Sequence, residues 1–239
     1  MASRWTFSWP LTLLTAALIA GMCSLGVWQL GRADEKRERL EAFDTGSALQ
    51  NVTLQAMPPR YSRAEVRGRY DDSRQIITDG FSIDKRAGYQ VLTPFVVEGS
   101  DTVLMVNRGW RVWTGRRDNV QGLEADNVVR TLRGRVERFW QPGMVLGGGN
   151  AGESTNWPRI VVYPQHDEIS TWMQQPVAVW QLLLDAEEDD GFVRQWKPGG
   201  LPPERHLGYA VQWFALAITL LVLYLIILFK RSNPSEERE

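Results

Sequence analysis

The sequence predicts a membrane α+β protein in which two transmembrane helices, one near each end of the chain, flank an antiparallel, β-rich domain. Two observations predict this fold class. Long uncharged apolar runs lie near both ends of the 239-residue chain, and the stretch between them contains short runs with the composition of β-strands. No long helical pattern alternates with those short runs, which argues against a doubly wound parallel sheet. The mean hydropathy of −0.28 averages over these contrasting regions.

The first uncharged run extends from Leu11 to Leu30. A helix rises about 1.5 Å per residue and the apolar core of a bilayer is about 30 Å thick, so a run of this length can span it. Arg4 before the run and small residues such as Ala20 within it also resemble a signal peptide. The run is long for a signal peptide, however, and continues into a charged segment without an A-x-A cleavage site. We therefore predict a retained membrane anchor.

A second uncharged run, from Leu207 to Phe229, predicts another transmembrane helix. Two spans return the chain to its starting side, so both tails lie on one side of the membrane and the middle domain lies on the other. The predicted segments are an N-terminal tail (1–10), the first span (11–30), the β-rich domain (31–206), the second span (207–229) and a C-terminal tail (230–239).

Charge does not decide the orientation of these spans. Lys230 and Arg231 follow the second span and favour a cytoplasmic C-terminus. A basic cluster from Arg32 to Arg39 follows the first span, whereas Arg4 alone precedes it, and this local count favours the opposite orientation. The two counts leave both orientations open.

The middle domain is predicted to consist mainly of strands. Its short runs are rich in Val, Ile, Leu, Thr and Tyr and are bounded by Gly, Pro, Asp or Asn. Gly134 within one run suggests a bulge, and two segments, Arg32–Phe43 and Asp167–Met173, are predicted to be helical. The predicted strands are Glu65–Tyr70, Gln75–Thr78, Tyr89–Val97, Val103–Val106, Val128–Phe139, Ile160–Tyr163 and Val177–Asp185.

The overall composition excludes several classes of protein. The chain has 27 basic and 28 acidic residues, a formal net charge of −1, whereas a nucleic-acid-binding protein concentrates basic residues. A hydrophobic fraction of 44% excludes wholesale disorder. The single cysteine excludes an intramolecular disulfide and a CxxC pair, and two histidines leave little material for a histidine-rich metal site. The 11 tryptophans, several close to apolar runs, predict rings at a membrane interface.

Several chemical-looking features have simpler interpretations. Gly147–Asn150 lacks the Lys and Ser/Thr of a phosphate-binding loop, and the acidic run Glu187–Asp190 lacks EF-hand spacing, so we predict a flexible loop and a solvated turn. His166 has no second histidine or cysteine nearby and is predicted to lie in a surface loop. Cys23, within the first span, is a small hydrophobic residue. No serine or cysteine lies in a nucleophile motif, so nothing indicates a hydrolase.

His206 is the strongest candidate for chemistry. It directly precedes the second span, and helical spacing predicts that Tyr209, Ala210 and Trp213 share its face. Small residues, Gly208 and Ala210, are predicted to leave room there for another helix or a flat ligand. The alternative is an interfacial histidine in an aromatic belt, which needs no ligand.

Four motifs resemble the Surfeit locus protein 1 family of cytochrome c oxidase assembly proteins, in the family's order. They are GVWQLGRADEKRERL at the first span, GYQVLTPF, VLMVNRGW at Val103–Trp110, and HLGYAVQWFALA at the second span. The resemblance covers nearly the whole chain. It implies a bacterial inner-membrane protein with both termini in the cytoplasm and the middle domain in the periplasm. The chemistry of NRGW assigns no binding role to that segment, because a strand end with Arg108 and Trp110 is equally consistent with a structural role.

The resemblance also implies a function. The family promotes maturation of the largest subunit of cytochrome c oxidase around insertion of haem a, together with other assembly factors and without being an enzyme. His206 matches the implied haem ligand, and a neutral imidazole suits haem iron. Tyr209, Trp213 and Phe214 are expected to supply apolar walls. The spans contain no second histidine, so we expect one protein ligand.

Arginine is the residue suited to the haem propionates, because its guanidinium stays charged and binds a carboxylate through two hydrogen bonds. In an antiparallel pair of spans, Trp28–Arg32 lies level with Arg205–Tyr209, so we expect Arg32, or alternatively Arg205, to bind propionate. Otherwise Arg32 anchors its helix or pairs with Glu35. A rival function is a membrane scaffold that stabilises an oxidase subunit without binding haem.

Overall fold

The computed structural model describes residues 8–45, 53–115, 120–139 and 156–232. The predicted loop at Gly147–Asn150 and most of the two predicted tails lie outside these residues. The chain forms two compact units: a helix unit, Met1–Glu41 with Pro198–Glu239, and a β unit, Ala42–Lys197. In chain order the elements are α1 (Trp9–Thr45), β1 (Arg63–Tyr70), β2 (Ile76–Ile83), β3 (Arg86–Val97), β4 (Val103–Val112), β5 (Arg130–Arg138), β6 (Arg159–Val161), α2 (His166–Met173), β7 (Val177–Leu184) and α3 (Pro203–Ser232).

Both predicted spans lie within long helices. The helices α1 and α3 are long and apolar enough to cross a membrane, with mean hydropathies of 1.9 and 2.5 in their most apolar windows. Most of their large apolar side chains are exposed, as expected for surfaces that contact lipid. The two helices indicate a membrane protein. The predicted charged continuation of the first span is confirmed, because α1 runs on to Thr45.

Within the helix unit, α1 and α3 pair in antiparallel fashion. Thr12 Oγ1, near the start of α1, lies 2.6 Å from the hydroxyl of Tyr224, near the end of α3. Further along α1, Gln29 Oε1 lies 2.8 Å from Nδ1 of His206, in the first turn of α3. Small residues on the facing sides let the two backbones approach closely. The buried residues of this pair include Thr15, Gly26, Ala33, His206, Ala210 and Ala217.

The β unit is a mixed barrel. Its sheet has the order β1-β5-β7-β4-β3-β2-β6, and a further pairing between β1 and β3 closes five of these strands on themselves. Among the described strands, β2 pairs with β6 and β4 with β7 in parallel, and the other pairings are antiparallel. The predicted fold class is confirmed, with the addition of these two parallel pairs. Alternation of side chains does not encode strand direction, so the sequence pattern did not reveal them.

Each of the seven predicted strands is confirmed, with ends that differ by up to six residues. The suggested bulge at Gly134 is wrong, because this residue lies in regular register between Ala64 of β1 and Leu184 of β7. The glycine is needed for a close approach instead. A Cβ added there would lie 2.3 Å from the carbonyl oxygen of Leu183, a distance that real side chains do not adopt.

Tryptophans occupy two different environments. Trp9 and Trp28, on α1, are 68% and 56% exposed, as predicted for rings at a membrane surface. Trp180, on β7, is fully buried in the core of the β unit, and Trp110 of β4 is also buried. Part of the high tryptophan content therefore reflects the core of the β unit.

Candidate functional site

His206 lies in the first turn of α3. Pro203 is the first residue of this helix, where its fixed φ suits the helix and its missing N–H costs nothing. The His206 side chain is buried, with 8% of its surface exposed. Its Nδ1 lies 2.8 Å from Gln29 Oε1, and because an amide oxygen only accepts hydrogen bonds, Nδ1 is the donor.

This hydrogen bond determines the state of the other ring nitrogen. In a neutral imidazole whose Nδ1 carries the proton, Nε2 carries a lone pair. Within the described part of the chain, Nε2 has no hydrogen-bond partner. Metal-binding histidines commonly have this arrangement, in which one nitrogen donates to a protein oxygen and the other is available to the metal.

The available side chains suit a metal that is already coordinated by a cofactor. The described residues contain no group of three or more His, Cys, Asp and Glu side chains that could hold a bare metal ion. Haem iron is already coordinated by its macrocycle and needs one or two axial ligands from protein. A single buried imidazole with a free Nε2 therefore suits haem better than a free ion.

The residues predicted to share a face with His206 differ in exposure. Ala210 is 1% exposed and Trp213 is half-buried, so both lie on the side of His206 that packs in the helix pair. Tyr209 is 40% exposed, so much of its side chain is open at the surface of α3. Residues three positions apart are neighbours on a helix surface, so the face shared by Tyr209 and His206 stays a prediction, with Tyr209 at its exposed edge.

Tyr209 lines an open groove on the outer side of α3. The groove has a volume of about 400 Å³ and is also lined by Arg205, Gly208 and Gln212. A Cβ added to Gly208 would meet no atom within 4 Å, so the room predicted at this glycine exists on the groove side of the helix. Arg205 and Tyr209 thus line this groove, whereas the buried His206 is not among its lining residues.

Phe214 packs directly against α1. A Cβ added to Gly26 would lie 2.6 Å from the Phe214 ring, so the ring occupies the space that a larger residue would fill. Gly26 lies one turn before Gln29, the partner of His206. The predicted equal depth of Trp28–Arg32 and Arg205–Tyr209 is confirmed by the hydrogen bond between Gln29 and His206.

Arg32, one turn beyond Gln29, forms an ion pair with Glu35. This is the alternative partner considered for it from the sequence. Glu35 also pairs with Arg39, so two guanidinium groups share one carboxylate and the cluster has a net positive charge. About a third of the Arg32 side-chain surface is exposed, which leaves the group accessible to a further anion.

Comparison with known proteins identifies the family. The model of the SURF1 family matches residues 16–218. The chain belongs to the SURF1 family. It is 23% identical over 222 residues to a SURF1-like protein of Rickettsia prowazekii, an alignment that covers 90% of this chain and 87% of that protein. It is 24% identical over 237 residues to one of Monosiga brevicollis, covering 88% and 85%, and 26% identical over 154 residues to Surfeit locus protein 1 of Takifugu rubripes, covering 53% and 62%.

SURF1 family proteins are known as cytochrome oxidase assembly factors and are not a known class of enzyme. The resemblance to the Surfeit locus protein 1 family is therefore confirmed at the level of the family. Membership covers both the helix unit and the β unit, because the matched residues extend from within α1 to within α3.

The NRGW segment of this SURF1 family member has a structural role. Arg108 of β4 is 3% exposed, donates to the carbonyl oxygens of Leu123 and Glu124, and forms a 2.7 Å ion pair with Asp190. Burial alone raises the pKa of the Asp190 carboxyl, but the hydrogen bond and charge of Arg108 outweigh it and hold the pKa below its ordinary value. Burial, assisted by nearby Asp190, raises the pKa of the Tyr70 hydroxyl. The predicted solvated turn is therefore wrong for Asp190.

His166 is the first residue of α2, and its predicted place in a surface loop is wrong. The ring is half-buried, and Nε2 lies 2.9 Å from the carbonyl oxygen of Val177, which therefore accepts a hydrogen bond from it. Both ring nitrogens lie within hydrogen-bond distance of protein oxygens, since Nδ1 is 3.1 Å from Asp167. His166 thus offers no free nitrogen comparable to Nε2 of His206.

Sequence reasoning missed Gln29 as a site residue. A signal was present, because this amide is the one strongly polar side chain in the last turn of an otherwise apolar run. The sequence did not reveal that Gln29 pairs with His206, since the two residues are 177 positions apart in the chain.

Proposed function

We propose that this SURF1 family protein assists maturation of haem–copper cytochrome c oxidase by holding haem a, with His206 Nε2 as the ligand of the iron. One observation supports this proposal above the others: His206 is buried, its Nδ1 is held by Gln29, and its Nε2 is left unbonded. Bound haem would supply an iron centre with open axial positions. The chain would supply the imidazole, apolar contact from Trp213, and a basic cluster at the end of the apolar run.

Replacement of His206 by alanine tests this proposal. We expect His206→Ala to lower the haem a content of the purified full-length protein by more than about tenfold. Loss of a residue that only hydrogen-bonds a metal ligand already weakens metal affinity by about 10–100-fold, and loss of the ligand itself should have a larger effect. The measurement is the haem a absorption per protein after co-expression with haem a synthesis. His166→Ala is the control and is expected to retain haem a, because both nitrogens of that ring face protein oxygens. Equal haem a content in wild type and His206→Ala would contradict the proposal.

We further propose that Arg32 contributes to binding of the propionates. The cluster of Arg32, Glu35 and Arg39 has one more positive than negative charge, so a propionate would complete it without displacing Glu35. Arg205, on the groove side of α3, is the alternative partner.

We expect Arg32→Ala to weaken haem a binding in detergent by about 5–10-fold, or roughly 1–1.5 kcal/mol, because partial exposure of Arg32 weakens its charge-assisted hydrogen bond to a propionate. Arg32→Lys should recover only part of this loss, because an ammonium group lacks the planar fork of arginine. Arg37→Ala is the control, since Arg37 pairs with Asp34 outside the cluster. Unchanged affinity in Arg32→Ala would leave Arg32 with the role of a helix anchor.

A membrane scaffold that binds no haem is the second candidate function. The groove formed by Arg205, Gly208, Tyr209 and Gln212 favours it, because small and aromatic residues on an exposed helix face suit contact with another helix. In this case the largest oxidase subunit, or another assembly factor, would occupy the groove. Loss of oxidase assembly in Gly208→Leu, in a protein that never contains haem a, would favour the scaffold.

The proposed location is the bacterial inner membrane, with residues 33–205 in the periplasm. To test it, Cys23 is replaced by alanine, and a single cysteine is introduced at Asp101, in the exposed turn between β3 and β4, or at Ser235 in the C-terminal tail. We expect a membrane-impermeant maleimide to label Asp101→Cys without permeabilising the inner membrane, and Ser235→Cys only after it. The reverse pattern would invert the orientation.

A further inference from the structure

We propose that Gln29 positions the His206 imidazole for metal binding, by fixing which ring nitrogen is free and by tuning its strength as a donor. The inference rests on the proposed function, because it assigns a role to the residue behind the proposed haem ligand. Gln29 itself does not touch the iron in this proposal. It acts through the ring of His206.

The geometry assigns this role to Gln29. Its Oε1 is 2.8 Å from His206 Nδ1, and an amide oxygen has no proton to give, so the proton of the neutral ring lies on Nδ1. Both side chains are shielded from water, since His206 is buried and Gln29 is half-buried. An unpaired polar group in apolar surroundings costs free energy, so the hydrogen bond disfavours both the other tautomer and other orientations of the ring.

The chemical nature of the partner also matters. An oxygen that accepts from Nδ1 increases the electron density at Nε2 and strengthens the bond to iron. A carboxylate does this more strongly than an amide, because its negative charge draws the proton further from the ring. The two nearest carboxylates along α1 are both engaged by arginines: Asp34 pairs with Arg37, and Glu35 pairs with Arg32 and Arg39. A neutral amide behind His206 gives intermediate donor strength, between that of an unpaired imidazole and that of an imidazole paired with a carboxylate.

If Gln29 had a purely structural role, its hydrogen bond to His206 would be one of several that hold α1 and α3 together. The pair of Thr12 and Tyr224 provides the matched comparison, since it is another side-chain hydrogen bond between the same two helices, with a 2.6 Å separation. Thr12 and Gln29 lie 17 positions apart on α1, about 25 Å along the helix, so loss of the Thr12 bond leaves the surroundings of His206 intact.

The test uses the full-length protein in detergent, titrated with haem a, in four forms: wild type, Gln29→Ala, Gln29→Glu and Thr12→Val. Haem a affinity, the midpoint potential and the iron–histidine stretching frequency of the ferrous complex are measured. We expect Gln29→Ala to bind haem a about tenfold more weakly, with a lower stretching frequency and a raised potential. Gln29→Glu should shift the frequency and the potential in the opposite direction. Thr12→Val should match the wild type in all three.

Two outcomes would overturn the inference. One is a stretching frequency and a potential that stay at the wild-type values in Gln29→Ala and Gln29→Glu. The other is an equal loss of affinity in Gln29→Ala and Thr12→Val, which would reduce Gln29 to a helix-pairing residue. Failure of the proposed function is separate, because it would appear as undiminished haem a binding in His206→Ala.

Discussion

Replacement of Arg108 by alanine is expected to lower the free energy of unfolding of the β unit by about 3–5 kcal/mol, the cost of breaking a buried ion pair by removing one partner. Arg108 is 3% exposed and Asp190 is 15% exposed, so the remaining carboxylate has little access to water. Two carbonyl oxygens, of Leu123 and Glu124, also lose their donor. Hydrogen–deuterium exchange of the β4 and β7 amides in the full-length protein measures this loss, because it resolves the β unit from the helix unit.

The matched control is Arg67→Ala. Arg67 pairs with Glu98 at 2.9 Å, but both side chains are more than half exposed, so we expect a loss of at most about 1 kcal/mol. An equally small loss in Arg108→Ala would contradict the buried network and would mean that water hydrates Asp190 in the variant.

The effect of Arg108→Ala should also depend on pH. The folded state lowers the pKa of Asp190 below its ordinary value of 3.8, so this group stabilises the wild type above that pH and ceases to do so as the pH falls through the folded pKa. In the variant, burial without Arg108 favours the protonated acid. The difference in free energy of unfolding between wild type and variant is therefore expected to narrow as the pH is lowered from neutrality.

Strands and spans were predictable because they depend on local patterns. In β1, buried and exposed residues alternate along RAEVRGRY, and this alternation is visible in the sequence as apolar and charged residues in turn. The spans were visible because lipid requires long uncharged helices. Strand order and direction were not visible, since the pairing of β4 with β7 joins residues more than 70 positions apart and no local pattern encodes it.

The candidate site was predictable only in part, for the same reason. His206 could be found because an ionisable residue at the edge of a span is conspicuous. Its partner Gln29 and the partner of Arg108 could not, since each lies far away in the chain and is brought near by folding. The exposure of Tyr209 could not be predicted, because helical spacing gives the angle between residues, whereas the width of the contact face depends on the partner helix.

Replacement of Trp180 by alanine is the second change with a large expected effect, again about 3–5 kcal/mol in the free energy of unfolding of the β unit. Trp180 has no exposed surface and lies in the main core cluster, where it packs with Leu132 and Leu182 among others. Its removal leaves a cavity that strands fixed by a closed barrel cannot collapse to fill. It also removes the 3.3 Å hydrogen bond from its indole nitrogen to the carbonyl oxygen of Thr53.

Hydrogen exchange of the strand amides measures this loss, and Trp28→Ala is its control. Trp28 is 56% exposed and belongs to the helix unit. The same substitution there should therefore leave the protection of the strand amides from hydrogen exchange at the wild-type level. The comparison separates the two environments that tryptophan occupies in this chain, the core of a barrel and the surface of a membrane helix. A loss below about 1 kcal/mol in Trp180→Ala would contradict the buried position of Trp180. An equal reduction of strand-amide protection by Trp28→Ala would contradict the assignment of the loss to the buried position of Trp180.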